Sequence, residues 1–260
     1  MKTIHWAMIG TGDVTEKKSG PGFYKAKNSV LYGVTNRTLA KAEDYAKRHH
    51  VEKVFASVDD LLADPKVDAV YIATPPGSHK DYALRCAEAG KVCYIEKPIA
   101  LTYNEALEIS EAFKKANVKA FVAYYRRTLP RFTEVKVLLD AGTIGDVRFV
   151  NVAYYRPAAK DEINGTHWHV QPEISGGGIF MDMAVHTLDI LDFFFGAIEK
   201  VAAFSVNQAG YYAPEDNVAL SFAFDNHVTG TGNWCFTTDT VADNIQIVGS
   251  KGEINFGCFT

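Results

Sequence analysis

The sequence predicts an α/β protein in two parts: an N-terminal parallel sheet covered by helices on both faces, then an α+β domain with a large, mainly antiparallel open sheet. Three observations carry this. Short apolar runs alternate with helical stretches over residues 1–123. From residue 201 onward, strand-like runs follow one another with no helix between them. A Gly10-Thr11-Gly12 turn stands directly after the first apolar run. Continuous short apolar strands separated by helices indicate a parallel sheet buried on both faces, and a helix-free succession of strands indicates antiparallel pairing.

The elements follow in order. Apolar runs at 4–9, 29–34, 68–73, 91–95 and 120–124 are the strands of the first part. Between them lie helical stretches at 38–49, 58–62, 79–89 and 102–116. The boundary falls near 124–130, dividing the chain into a dinucleotide-binding domain over 1–123 and a substrate-binding and oligomerisation domain over 124–260. In the second part a helix at 132–141 closes on Gly142, and one long helix spans about 179–195. Strands are expected at 147–155, 201–206, 217–224, 228–234, 244–248 and 253–256.

Composition narrows the function. The 260 residues are 47% hydrophobic and 22% charged, ordinary for a globular protein with a sizeable core. A net charge of −4 offers no basic footprint for nucleic acid, so a small-molecule substrate is expected. Cys86, Cys93, Cys235 and Cys258 form no Cys-x-x-Cys pair, which reads as reduced thiols in a cytoplasmic protein and no metal site. No apolar run approaches the ~20 residues of a membrane span. The first strand begins so early that no signal peptide is expected before it.

Gly10-Thr11-Gly12 points to a dinucleotide. Its glycines permit a tight turn and close backbone approach to a pyrophosphate, with Asp13 and Val14 opening the next helix. The full Gly-x-Gly-x-x-Gly pattern fails at Thr15, and the following 15–22 segment is polar and broken. The second strand ends in Thr35-Asn36-Arg37-Thr38, without the acidic residue that holds ribose hydroxyls in NAD enzymes. Arg37 can pair with a 2′-phosphate and Asn36 can donate to it, which favours NADP over NAD. Thr74, Pro75 and His79 follow the third strand, and Glu96-Lys97-Pro98 the fourth; these carboxyl ends are where open α/β sheets bind ligands.

The chemistry-bearing pattern lies in the long helix. Asp182, His186 and Asp189 stand at i, i+4 and i+7, on one stripe of an otherwise apolar helix preceded by Gly176-Gly177-Gly178. Buried charge is costly unless paired or functional, so the stripe is either a reaction centre or a structural His–Asp network.

With these motifs in place, the chain resembles the Gfo/Idh/MocA family, the glucose-fructose oxidoreductase and inositol dehydrogenase group. The resemblance runs from Ile4 to about Phe256. It rests on Gly10-Thr11-Gly12, Thr74-Pro75, Glu96-Lys97-Pro98, Arg127-Thr128-Leu129-Pro130, and the three glycines with Asp182 and His186. It implies a Rossmann first domain and a reaction centre of Lys97, Asp182 and His186. His186 is then the general acid/base, Lys97 hydrogen-bonds the same substrate oxygen, and Asp182 orients substrate and Lys97. Tyr125, Arg127, Trp168 and His169 would shape the substrate pocket; similar proteins often carry Trp-Arg where this chain has Trp168-His169. Such relatives commonly continue past the last strand, so the resemblance implies a compact variant or a C-terminally truncated domain.

The expected function is NAD(P)-dependent hydride transfer on a sugar, polyol or related diol; the alternative is a cofactor-binding sensor or scaffold without turnover. Val218, Leu220, Phe222 and Phe224 form one alternating apolar set, joined by Trp234. A large apolar sheet face marks a partner surface, so a homodimer or homotetramer through the C-terminal sheet is expected.

Overall fold

Six parallel strands form the first sheet of the protein, whose computed structural model describes residues 2–260. The chain runs β1 (Ile4–Ile9), α1 (Asp13–Lys17), α2 (Gly20–Lys25), β2 (Ser29–Thr35), α3 (Leu39–His49), β3 (Lys53–Val54) and α4 (Val58–Ala63). It continues through β4 (Ala69–Ile72), α5 (His79–Glu88), β5 (Val92–Ile95), α6 (Tyr103–Ala116) and β6 (Ala120–Val122). The strand order is β3-β2-β1-β4-β5-β6, and all neighbours run parallel. The direction of winding reverses between β1 and β4, so the carboxyl ends of these two strands flank the crevice such sheets use for ligands.

Burial on both faces explains the unbroken apolar runs. Val70 and Ile72 of β4 point into one core cluster with Leu61, Cys86, Ile109 and Phe113. Tyr71, between them, points into the opposite cluster with Phe23, Ala42 and Tyr45. Local chemistry sets the helix ends. Ser57 and Thr102 accept the backbone N–H of Asp60 and Glu105 at the starts of α4 and α6. His50 and Asn117 close α3 and α6 in the left-handed conformation. The two-residue β3, absent from the sequence reading, carries too few residues to show a period.

A second compact unit begins at Tyr124, after the first ends at Ala123. It comprises α7 (Pro130–Asp140), β7 (Val147–Tyr155), α8 (Lys160–Ile163), α9 (Pro172–Ser175) and α10 (Ile179–Phe195). After these come β8 (Ile198–Val206), β9 (Asn217–Phe224), β10 (Thr229–Cys235), β11 (Ala242–Gly249) and β12 (Glu253–Phe256). The sheet order is β12-β11-β7-β10-β9-β8. Its pairs are antiparallel except one: β7 lies between β10 and β11 and runs parallel to β10. The mainly antiparallel sheet expected from the sequence is present, with β7–β10 as its one parallel pair. β10 and β11 are consecutive in sequence, yet a strand from far upstream separates them.

One face of this sheet packs against α10. Val218, Leu220, Phe222, Phe224 and Trp234 are buried in the same cluster as Ile190, Leu191, Phe194 and Phe195. The alternating set therefore forms core rather than a partner surface, because α10 covers that face. Exposed apolar side chains on the strands of this sheet lie on edge strand β8, where Phe204 is 81% exposed, with Val201 and Val206, and on β7 at Phe149.

Candidate active site

In the first unit the candidate residues gather at the carboxyl ends of the strands. Gly10 follows β1 with φ +96°, and a Cβ there would stand 2.9 Å from the carbonyl oxygen of Ala73 after β4, so only glycine fits. At Gly12 the Cβ direction is open space, which leaves the backbone accessible to a pyrophosphate. Thr15, at the expected third glycine, is buried and donates from Oγ1 to the carbonyl of Gly12 at 2.7 Å. The pattern is thus closed by a hydroxyl. Asp13 and Val14 open α1, which ends after Lys17; Pro21 then sits in the first turn of α2.

Asn36 joins two of these loops. Its Nδ2 donates to Thr11 Oγ1 at 2.9 Å, and its Oδ1 accepts the Thr38 N–H at 2.9 Å. Arg37 beside it is exposed. Residues 35–38 at the end of β2 include no carboxylate.

His79, at the start of α5, is fully buried. Its Nε2 faces the Thr74 carbonyl at 2.7 Å and its Nδ1 faces the Pro98 carbonyl at 2.9 Å. The ring ties the Thr74-Pro75 loop to the Glu96-Lys97-Pro98 loop. Two facing carbonyls favour the imidazolium, but burial is the larger effect and pulls His79 below the usual histidine range. Lys97 precedes a cis peptide bond to Pro98.

Glu96 shows what the sequence reading missed. Tyr71, buried under the sheet, donates its hydroxyl to Glu96 Oε1, and the Lys97 N–H lies 3.3 Å from Glu96 Oε2. The Tyr71 oxygen is also 2.7 Å from Ser19 Oγ at the break between α1 and α2. Burial and the Glu96 charge push Tyr94 up to about 12. The only signal of this network was a phenol inside an apolar strand.

In the second unit, Asp182, His186 and Asp189 are 9%, 5% and 8% exposed on one stripe of α10. The stripe divides. Arg127 donates from Nε and Nη2 to Asp189 Oδ1 at 2.8 and 2.6 Å, and from Nη2 to Asp192 at 2.9 Å. Burial pushes the Asp189 carboxyl up, and the guanidinium opposes it. Asp189 and Arg127 thus form a partly buried ion pair.

Asp182 and His186 have different surroundings. His169 Nε2 lies 3.5 Å from Asp182 Oδ1, with the Trp168 ring centroid 3.7 Å from that of His169. Tyr125 and Phe259 meet the His186 ring edge-on at 6.1 and 5.9 Å. Tyr125 is about half exposed. Gly178, just before α10, admits a close neighbour: a Cβ there would stand 2.7 Å from Pro214, in the loop after β8. That loop is ordered by Asp216, which accepts the N–H groups of Gln208 and Ala209, and it too went unread in the sequence. Among the described residues no cluster of three metal-ligating side chains occurs, and no helix is long and apolar enough to cross a membrane.

Comparison with known proteins is consistent across both units. Residues 4–124 match the model of the Gfo/Idh/MocA oxidoreductase family, NAD-binding Rossmann fold, and residues 132–255 match the Gfo/Idh/MocA C-terminal domain. The chain is 40% identical to oxidoreductase P35 of Formosa agariphila over 99% of its own length and 80% of that protein. It is 30% identical to the scyllo-inositol 2-dehydrogenase (NAD(+)) of Bacillus subtilis, over 98% of the chain and 74% of that protein. A solved relative in fold is the WlbA dehydrogenase from Bordetella pertussis in complex with NADH and UDP-GlcNAcA. It has a TM-score of 0.88 at 25% identity, covering 98% of this chain and 74% of that one.

Proposed function

The chain belongs to the Gfo/Idh/MocA oxidoreductase family, and from that premise we propose that it interconverts a hydroxyl and a carbonyl on a sugar, polyol or related diol. The observation that carries this reading is the division of the α10 stripe. Arg127 neutralises Asp189, while His186 and Asp182 stand one and two turns away on the same buried face. When bound, the nicotinamide accepts or supplies the hydride.

The proposed roles of this chain's residues follow from the proton. In alcohol oxidation, His186 takes the hydroxyl proton as the carbonyl forms, and returns it in reduction; such catalysis is worth ~10²–10⁴-fold. Lys97 donates a hydrogen bond to the same oxygen, and Asp182 accepts from a substrate hydroxyl. Tyr125, Trp168 and His169 supply polar and ring contacts to the substrate. Arg127, held by Asp189 and Asp192, acts on the pocket by supporting α10.

Gly10, Thr11, Gly12, Asp13 and Val14 form the proposed pyrophosphate cradle. Asn36 and Arg37 face the adenosine end and favour NADP over NAD. Thr74, Pro75, Glu96 and Lys97 hold the nicotinamide side, with His79 fixing their loops from below. The reduced cysteines fit a cytoplasmic enzyme. The proposed oligomer uses the sheet face away from α10, where Phe149, Ala202, Ala223 and Thr229 line a shallow groove of about 560 Å³ beside exposed Phe204.

The deciding experiment is a cofactor-reduction screen of inositols, aldoses, anhydro-sugars and dihydrodiols with NAD and NADP in parallel. His186→Ala and Lys97→Met should each lower turnover at least ~10²-fold while the dinucleotide still binds. Undiminished turnover in His186→Ala refutes its role.

A further inference from the structure

We infer that Phe259 is a specificity-determining residue: its ring forms an apolar wall beside His186 that receives the C–H face of a cyclic alcohol. The inference rests on the reading of His186 as the group that serves the reacting hydroxyl.

The turn that carries Phe259 is tied down by side chains distant in sequence. Asp243, in β11, accepts the N–H of Cys258 on Oδ1 at 2.8 Å, and those of Phe259 and Thr260 on Oδ2 at 2.7 and 2.8 Å. A Cβ at Gly257 would stand 2.7 Å from the same Oδ2, so the turn closes this tightly only on glycine. The carbonyl of Cys258 accepts from Arg131 Nη2 at 2.9 Å and from Arg126 Nε at 3.1 Å. A carboxylate and two guanidinium groups thus fix the backbone on which Phe259 stands.

The ring presented by this turn is clamped but not closed off. Tyr154 packs on it at 4.6 Å, and the Arg126 guanidinium lies over it at 4.7 Å and over the Tyr125 ring at 5.0 Å. Arg126 is 7% exposed, so this buried cation spaces two rings that both meet His186 edge-on. Phe259 stays half-buried, which leaves part of its ring for a ligand. An aromatic ring packs well on C–H groups, whereas a hydroxyl pressed against it loses water without gaining a strong partner. A cyclohexane polyol or pyranose with equatorial hydroxyls keeps C–H groups on its faces and its oxygens on its rim. Seated on Phe259 by one face, it directs a rim hydroxyl towards His186. An open-chain polyol has no such face, because its hydroxyls turn freely.

The test uses the full chain with NAD and NADP in parallel, scyllo-inositol as the cyclic probe and glycerol as the open-chain one. Phe259→Ala should raise KM for scyllo-inositol about tenfold, the lower end for losing an apolar contact, with glycerol changed less than about twofold. Phe259→Leu fills most of the same space and guards against loss of folding. It should raise the scyllo-inositol KM at least about threefold, with the same indifference to glycerol. Equal losses for both alcohols, or no loss for either, overturn the wall and leave the dehydrogenase reading standing. Calorimetric binding of scyllo-inositol to the cofactor-loaded wild type that weakens about tenfold in Phe259→Ala, without turnover of any alcohol, supports the wall and counts against the dehydrogenase reading. Absence of scyllo-inositol binding to the wild type overturns the wall.

Discussion

Arg127 closes on Asp189 with two nitrogens converging on one carboxylate oxygen, at 2.8 and 2.6 Å. The other oxygen, Oδ2, is buried without a hydrogen-bond partner among the described residues. Removing the guanidinium would therefore strand a buried carboxylate. Breaking a buried pair costs about 3–5 kcal/mol, reduced here because a third of the Arg127 side chain reaches solvent. Arg127→Ala should destabilise the chain by about 2 kcal/mol, seen as a lower urea midpoint at unchanged slope. Arg127→Ala/Asp189→Asn should recover part of the loss, since no stranded charge remains.

Arg37 is exposed beside Asn36, which is itself tied to Thr11. A charge-assisted hydrogen bond to a phosphate contributes about 1.5–3 kcal/mol. Arg37→Ala should weaken NADPH binding roughly tenfold to a hundredfold and leave NADH binding within about twofold. Equal losses for both dinucleotides, measured by fluorescence titration, would remove Arg37 from cofactor selection.

Glu16 sets an acid-side dependence of stability. Arg48 donates to both its oxygens, at 2.6 and 2.8 Å, and His49 adds a contact at 2.8 Å. The Arg48 hydrogen bonds hold the Glu16 carboxyl at about 2, below its ordinary 4.5. Because the folded value is the lower one, the contribution is fully present above pH 4.5 and is lost as pH falls towards 2. Glu16→Gln should be less stable than wild type at neutral pH, and the gap should narrow on acidification. A gap constant with pH would show that the loss comes from packing.

Phe204 and Val206 are exposed on one face of edge strand β8, and their burial would remove an apolar patch from water. Phe204→Asp should shift the chain towards monomer in sedimentation at micromolar concentration, with little change in the folding midpoint. A wild-type chain that is already monomeric would refute the proposed interface.

Much of the first unit was legible because its strands are local: each apolar run is bounded by its own turn, and burial on both faces marks it plainly. Gly10 announces itself in the same way, since a tight turn after a strand needs a positive φ. The helical period likewise placed Asp182, His186 and Asp189 on one stripe before any packing was known.

What the sequence could determine alone was therefore periodic or local: element type, the glycine turn and the stripe. Tertiary structure decided the matters that depend on residues distant in the chain. Arg127 lies 62 positions from Asp189, so spacing within α10 was silent about which carboxylate would be neutralised. Asp182 differs from Asp189 in its partner, not in its periodicity. The same reason explains the sheet, where β7 pairs with β10 across 80 positions and α10 turns an apolar alternation from presumed surface into core. Which polar groups meet is set by how elements pack, and that is a property of the fold rather than of any window of sequence.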